Sequence, residues 1–476
     1  MRTGAMFVAP ARRLALAALA VAALAACAPV QRQAPALAQV AVPEGWRDGA
    51  AGAQPVEAYW WRAFGDATLD ALVDAALARN SDVLLAAARV DEARALLQSA
   101  QAARLPALDA VIGVQAGRAP GAAGVATTRV VQPELQARWE LDLWGRLRQQ
   151  ERASALQYRA TEAERAGVAL GVTAATVQSY VGLLALDAQL AITRATAESR
   201  AEALRLAADQ AQLGYTSQLQ LTQAQAEHAA VLAAVPELEL ALRRQENGLR
   251  ILIGEMPGAV VRTRRLRQLQ LPALPAALPS SLLERRPDIV EAGLLLAASD
   301  AILAARRADY LPQVALSASL GSLMANGNDY DPVSVWSVGG SVLAPIFSAG
   351  RLRAQVDAAT ARRDQAAFAY RGVVLTAFGE VEDALGAVSR LERKMQYVEE
   401  RRVILERSLG FARDRYEAGY VAYLEVLDAQ RNLYQAELEQ LALRQDQATN
   451  MVALYRALGG GWAGLGAAGL AAGGAP

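Results

Sequence analysis

The sequence predicts a mainly helical chain with a transmembrane β part, in which a helix, a β-hairpin and a long helical hairpin occur twice. Three observations predict it. The first is an internal repeat. Gly-Arg-Leu-Arg at 145–148 recurs at 350–353, and Gly214, Tyr215, Leu219, Ala224 and Gln225 recur as Gly419, Tyr420, Leu424, Ala429 and Gln430, both sets 205 residues on. Asp82, Leu105 and Pro106 match Asp288, Leu311 and Pro312 at a spacing of 206. A duplicated unit of this size makes a pseudo-symmetric shell rather than one catalytic cleft. The second is a pair of proline-free stretches, 146–213 and 351–418, filled with strong helix formers. The third is a segment of apolar and polar alternation ahead of each.

Residues 1–26 read as a secretory signal: Arg2, Arg12 and Arg13 precede an uncharged apolar run at 14–26 that is too short to span a bilayer. The run ends in Leu24-Ala25-Ala26-Cys27, with small residues before the only cysteine of the chain. One reading of Cys27 is a buried free thiol. Its position at the cleavage point resembles a bacterial lipobox, and that resemblance implies that Cys27 becomes the mature N-terminus and carries lipid. Acyl chains would anchor it firmly, at roughly 0.8 kcal/mol per buried methylene. Ala28 follows, rather than the Asp linked to inner-membrane retention, which favours the outer membrane. A lone cysteine permits no intramolecular disulfide. Residues 27–65 are expected to form a lipid-anchored tether; within it 28–54, rich in Ala, Pro and Gln without periodicity, reads as an extended segment or one packed on the surface.

The first repeat is assigned to 66–270. A helical region over 68–104 is interrupted at Asn80-Ser81-Asp82, which can start a helix, and is ended by Leu105-Pro106. A β-hairpin is expected at about 107–143. Its first strand alternates through Leu108, Ala110, Ile112, Val114 and Ala116. Its second sets Val131, Leu135, Ala137, Trp139, Leu141 and Leu143 against Gln132, Glu134, Gln136, Arg138, Glu140 and Asp142. Period two over a dozen residues is a strand signal. A soluble sheet gives the same pattern, but in an exported chain strands this long, with Trp139 near one end, match a transmembrane β-barrel. The second repeat, 271–458, repeats the hairpin at about 313–347 through Val314, Leu316, Ala318 and Leu320, then Trp336, Val338 and Val342, with glycines that blur the register. Four strands cannot close a barrel, and an open edge in lipid is not tolerated. Three copies would supply twelve strands.

Each hairpin is followed by a long helical hairpin, 146–254 and 351–458, whose first arm would reach roughly 100 Å at 1.5 Å per residue. Charges recur throughout, so these are not membrane spans. Each turns at Gly214 or Gly419, where glycine supplies a left-handed helix end. Pro236 lies in the first return arm, where the second has Leu441, and is expected to kink or break it. Residues 459–476, almost all Gly, Ala and Leu, are expected to form a disordered tail.

Four stretches carry a resemblance to a known family: Leu-Glu-Arg-Arg-Pro-Asp-Ile at 283–289, Leu-Trp-Gly-Arg at 143–146, Leu-Ile-Gly-Glu-Met-Pro-Gly at 252–258, and Tyr-Glu-Ala-Gly-Tyr-Val-Ala-Tyr-Leu-Glu-Val-Leu-Asp-Ala-Gln at 416–430. With their order and duplication, the chain resembles the TolC-like outer-membrane efflux lipoproteins of tripartite RND-type systems. The resemblance implies a homotrimer with a 12-stranded outer-membrane barrel and a periplasmic α-barrel, fed by an inner-membrane pump and a periplasmic adaptor. It also implies a gate. Glu425 and Asp428 lie at i and i+3 on one helix face and match carboxylates at the closed aperture; Tyr416 matches a residue that helps to close it. Glu425 and Asp428 fall opposite Gln220 and Gln223 in the first repeat. The other reading is a solvated face, with Asp428 paired to Arg431, and ordinary packing for Tyr416. Some relatives carry a latch arginine where this chain has Val421. The two turns, Leu213, Gly214, Tyr215 and Thr216 and Ala418, Gly419, Tyr420 and Val421, are the expected adaptor contacts.

Charge is balanced, with 48 basic and 48 acidic residues, against the basic excess of nucleic-acid binders. His228 is the only histidine, and no nucleophile elbow, phosphate loop or metal-ligand spacing is present. No catalytic residue, metal or cofactor is therefore expected beyond lipid on Cys27. The function expected is passive export of drugs or other small molecules. Type I protein secretion and metal-ion efflux are alternatives, as is a lipid-anchored coiled-coil scaffold without a pore.

Overall fold

The computed structural model describes residues 35–48, 56–121, 124–275, 279–326 and 329–462. The signal segment, Cys27 and residues 463–476 lie outside them. The chain divides into two units, and each draws on both sequence repeats.

One unit contains Gln101–Arg152 and Ser299–Phe368. Its centre is a four-stranded antiparallel sheet in the order β1-β2-β3-β4, from β1 (Ala107–Gly121), β2 (Gly124–Leu141), β3 (Gln313–Ala325) and β4 (Val333–Leu343). The register aligns like with like. Leu108, Ala137, Ala318 and Val338 lie opposite one another across the sheet, as do Ala110, Leu135, Leu320 and Trp336. One residue along, the row is Asp109, Gln136, Ser319 and Ser337. Since successive side chains point to opposite faces, over these rows one face is apolar and the other polar. The apolar face is bare: Ile112, Trp336 and Val338 are 70%, 74% and 76% exposed. On the polar face the amides of Gln132 and Gln136 donate to Glu134, Arg138 donates to Gln136 at 2.6 Å, and the hydroxyls of Ser319 and Ser337 meet at 2.9 Å. β4 pairs in continuous register through Gly339 and Gly340, so these glycines do not interrupt the strand. Below the strands, Trp139 donates to the Arg104 carbonyl at 2.9 Å and Trp144 to the Pro312 carbonyl at 2.6 Å.

Eight helices are described. α1 (Ala67–Arg79) and α2 (Ser81–Ala102) precede the first hairpin; α3 (Arg146–Gln212) and α4 (Gln218–Leu252) follow it. The single turn α5 (Leu282–Arg285) and α6 (Pro287–Ala308) precede the second; α7 (Arg351–Glu417) and α8 (Tyr423–Ala457) follow it. The duplication is metric: α3 and α7 both have 67 residues, α4 and α8 both 35, and α2 and α6 both 22. α4 runs unbroken through Pro236, so of the expected kink or break the break does not occur. Pro236 and Leu232, whose carbonyl loses its partner, are both exposed, so water can replace the missing bond.

The second unit contains Val40–Ala100, Ala153–Ala298 and Ala369–Pro476. Its core packs Trp60, Trp61 and Phe64 against Tyr180, Leu183 and Leu184 of α3, Leu249 of α4 and Leu454 and Tyr455 of α8. The end of the expected tether is thus core: three large aromatics bury more surface than an extended segment could leave in water. Asp66 is 1% exposed. It caps α1 through the Thr68 amide at 2.9 Å and accepts the Tyr180 hydroxyl at 2.7 Å. The preceding stretch is a strap along α7. Val40 packs beside Val374 and Ile289, the Trp46 ring lies 5.7 Å from that of Phe378, and Asp48 pairs with Arg390 at 2.9 Å.

The ends of α4 and α8 are built alike. At the first, the Asn80 side chain donates to the Leu252 carbonyl at 2.9 Å; at the second, Arg286 donates to the Ala457 carbonyl at 3.1 Å. Gly254 and Gly459 follow with φ of 72° and 87°. A Cβ there would come within 2.4 Å of the Arg79 carbonyl oxygen and 2.2 Å of that of Arg285. Residues 459–462, expected to start the disordered tail, are ordered by this closure: the Gly460 amide donates to Tyr455 at 2.8 Å and that of Trp462 to Gly459 at 3.0 Å.

Candidate gate at the helix turns

The two helix reversals belong to the second unit and use one device. Gly214 and Gly419 take φ of 75° and 78°. The next amide reaches back to the helix: Tyr215 to Gln210 at 2.8 Å and Tyr420 to Arg415 at 2.9 Å. This is the glycine-dependent Schellman closure. The helices that leave the turns differ. Ser217 caps α4, its hydroxyl accepting the Gln220 amide at 3.3 Å, whereas Ala422 offers α8 no side-chain cap. Glu425 stands in that uncapped first turn, where a carboxylate complements the helix dipole. Three side chains of the turns project into solvent, Leu213, Tyr215 and Tyr420, at 71%, 83% and 80% exposed, while Thr216 and Val421 are half-buried.

Behind the turns, Ala207 of α3, Ala224 of α4, Leu409 of α7 and Tyr423, Val426, Leu427 and Ala429 of α8 form a small core. Tyr416 packs on it, its ring 5.4 Å from that of Tyr423, and its hydroxyl donates to Gln210 of α3 at 2.8 Å. Burial pushes both phenols above their ordinary range. Tyr416 therefore ties α7 to α3.

Glu425 and Asp428 are both more than half exposed, and each has a cation beside it: Arg415 at 3.7 Å from Glu425 and Arg431 at 3.2 Å from Asp428. Two residues absent from the sequence reading join them. Arg431 also donates to Glu227 of α4, and Glu227 takes Arg200 of α3 at 2.7 Å, while Arg200 reaches the Glu227 main-chain carbonyl at 3.0 Å. The bond from Arg431, helped by the charge of Arg200, holds the Glu227 carboxyl below the usual range. Arg200 and Glu227 have side chains only 6% and 15% exposed. Glu227 is therefore a buried knot joining α3, α4 and α8. No local signal gives it away: Glu227 and Arg431 are 204 residues apart and match no motif.

Chemically the arrangement offers exposed carboxylates on α8, partly offset by arginines, on helices clamped by one tyrosine and one glutamate. Among the described residues no cluster of His, Cys, Asp or Glu is arranged to hold a metal.

A family model for outer membrane efflux proteins matches residues 72–255 and 278–460. The pyoverdine export outer membrane protein OpmQ of Pseudomonas aeruginosa is 34% identical over 435 residues, covering 89% of this chain and 92% of that protein. The cation efflux system protein CusC of Escherichia coli is 32% identical over 409 residues, covering 85% and 88%. Among solved structures, the outer-membrane channel OprN superposes with a TM-score of 0.84 at 29% identity, covering 92% of this chain and 99% of that one. The matches take in both hairpins, both long helix pairs and both turns, and the chain belongs to the outer membrane efflux protein family.

Proposed function

We propose that this outer-membrane efflux protein is the passive exit duct of a tripartite pump, a homotrimer that carries drugs or other small molecules from a periplasmic adaptor and an inner-membrane pump to the outside. The single observation that carries the reading is the sheet: a face that is apolar through the rows of Leu108 and Ala110, an opposite face that carries Glu134, Gln136 and Arg138, and edges on β1 and β4 without a partner strand among the described residues. Such edges are not tolerated in lipid. Pairing β4 of one copy with β1 of the next, three times over, gives twelve strands with the apolar face toward lipid and Glu134, Gln136 and Arg138 toward the lumen. Lipid on Cys27 adds an anchor in the same membrane.

In this reading Glu425 and Asp428, repeated three times, line the narrow end of the duct. Tyr416, with the Glu227 knot behind it, holds that end closed. The exposed turns, Leu213 to Thr216 and Ala418 to Val421, are where the adaptor docks, because they present apolar and aromatic side chains on rigid closures. The arginines beside the two acids moderate the ring, so its preference for cations is weaker than six free carboxylates would give. Pyoverdine export and cation efflux among the relatives leave the cargo to the pump; drug efflux remains preferred over type I secretion and metal-ion export. The chain has no catalytic role of its own in this scheme.

Conductance of the purified protein in planar bilayers tests the proposal. The unaltered trimer is expected to sit in a low-conductance state, and Glu425→Gln with Asp428→Asn to raise the current by about twofold or more and reduce cation preference. Trimers that never conduct, with or without these changes, would favour the scaffold reading.

A further inference from the structure

The loop after α4 carries Arg-Thr-Arg-Arg-Leu-Arg at 262–267, four arginines in six residues. Its inward positions are pinned. Arg262 grips Asp187 of α3 at 2.7 and 2.9 Å and Glu246 of α4 at 2.6 Å. The Thr263 hydroxyl meets that of Thr68 at 2.7 Å, and Leu266 is 1% exposed. Arg264 and Arg265 are left on the outside of this rigid loop, exposed and without a carboxylate partner among the described residues. Arg267 is exposed too; it donates to the Gln440 amide oxygen at 3.3 Å, and its charge acts on Glu399 and Glu437.

A second pair lies on α4, the helix that holds this loop through Glu246. Arg243 and Arg244 on α4 are exposed and equally without a carboxylate, and Arg243 lies one helical turn before the Glu246 that holds the loop. Some exposed arginines of the same unit are paired, as Arg194 is with Glu239 at 2.6 Å and Arg401 with Glu439 at 3.0 Å, and others, Arg159, Arg165 and Arg205 among them, are not; here four unpaired ones share one loop and the helix that holds it. In a chain of zero formal charge, a fixed patch of unpaired guanidinium groups is a local polarisation. It fits a partner that brings several negative groups at once.

Guanidinium forks match carboxylates in shape as well as charge. The patch lies on the unit that contains none of the four strands, on a loop and helix that expose guanidinium groups rather than apolar side chains at these positions, so an aqueous polymer fits it better than a bilayer. An outer-membrane protein with such helices shares its compartment with one fixed polymer rich in carboxylates, the peptidoglycan, whose stem peptides bear them. We infer that Arg243, Arg244, Arg264 and Arg265 form a docking surface for peptidoglycan carboxylates and hold the protein in the cell wall. This rests on the outer-membrane location of the chain and not on the exit-duct reading.

Cosedimentation of the full-length protein in detergent with purified sacculi tests it. Each exposed contact is weak, but several on one polymer act together. Arg→Gln substitution at all four positions is expected to reduce bound protein about tenfold, with Arg→Lys retaining most binding and moderate salt releasing it. Sacculi whose carboxyls have been amidated should bind the unaltered protein as poorly as untreated sacculi bind the Gln variant, whose oligomeric state and bilayer conductance should stay unchanged. Equal binding of the variant, or of amidated sacculi, would overturn the inference. So would capture by phosphatidylglycerol vesicles in place of sacculi, which would make the patch a lipid surface, or dissociation of the oligomer by the Gln substitutions, which would make it a contact between copies.

Discussion

Glu227 concentrates the energetics of the gate region in one carboxylate. It is bonded by arginines from two helices and nearly buried with one of them, so its loss strands Arg200 in the protein interior. Glu227→Ala is expected to cost roughly 3 kcal/mol, read as a lower melting temperature, and to raise bilayer conductance by freeing α8 from α4. Its pH dependence has a definite sign. The folded carboxyl is held below its ordinary value, so its contribution is complete above the unfolded value of about 4.3 and fades as pH falls through the lower folded value. Glu291 of α6 acts in the opposite sense. Burial, with Glu164 and Asp288 nearby, pushes it up to about 7. Its contribution is present below about pH 4.3 and is lost as pH rises toward 7. Thermal melts from pH 3 to 8 should therefore lose an acid-side component in Glu227→Gln and a neutral-side component in Glu291→Gln; profiles that do not change would refute both assignments. Neither residue stands out in the sequence, because each owes its state to neighbours on other helices. Tyr416, Glu425 and Asp428 were legible through resemblance, and the Asp428–Arg431 pair as the other reading of that face, but Arg415 beside Glu425 was not.

At the scale of elements, the presence and type of the long helices and of the four strands were legible, while the strand ends were not: the first hairpin closes between Gly121 and Gly124, well inside the Gly, Ala and Thr segment of 118–128. Two 67-residue helices without proline, and strands with period two, are patterns that local physics enforces. The misreadings share a cause. Pro236 does not interrupt α4, since one missing bond on an exposed face leaves the rest of a long helix intact. Trp60, Trp61 and Phe64 looked like tether, and Gly459 like tail, because neither segment is periodic; both are fixed by packing against distant elements. The matched closures of α4 and α8 give a test of the duplication. Gly254→Ala and Gly459→Ala each place a methyl against a main-chain carbonyl at positive φ, a conformation that alone costs about 1–2 kcal/mol. Both should lower the melting temperature to a similar extent, whereas Gly171→Ala, on a helix with open space around it, should not. A large difference between the first two would show that the two closures are not energetically equivalent.

For the whole molecule, the proposed anchoring is double: strands in the bilayer and lipid on Cys27. Cys27→Ser should abolish metabolic labelling with palmitate while the protein still reaches the outer membrane through its strands; normal labelling would refute the lipidation site. By itself the sequence determined the duplication, the helix and strand periods and the family, because each is a local or periodic property that survives without knowledge of neighbours. Only the tertiary structure decided which faces meet. The strand register that collects Leu108, Ala137, Ala318 and Val338 into one apolar row, the Glu227 knot across three helices, the strap along α7 and the unpaired arginines around Glu246 all join residues far apart in the chain. Such contacts depend on how separately stable helices and strands dock, and a side chain's partners across that interface leave no period in the sequence.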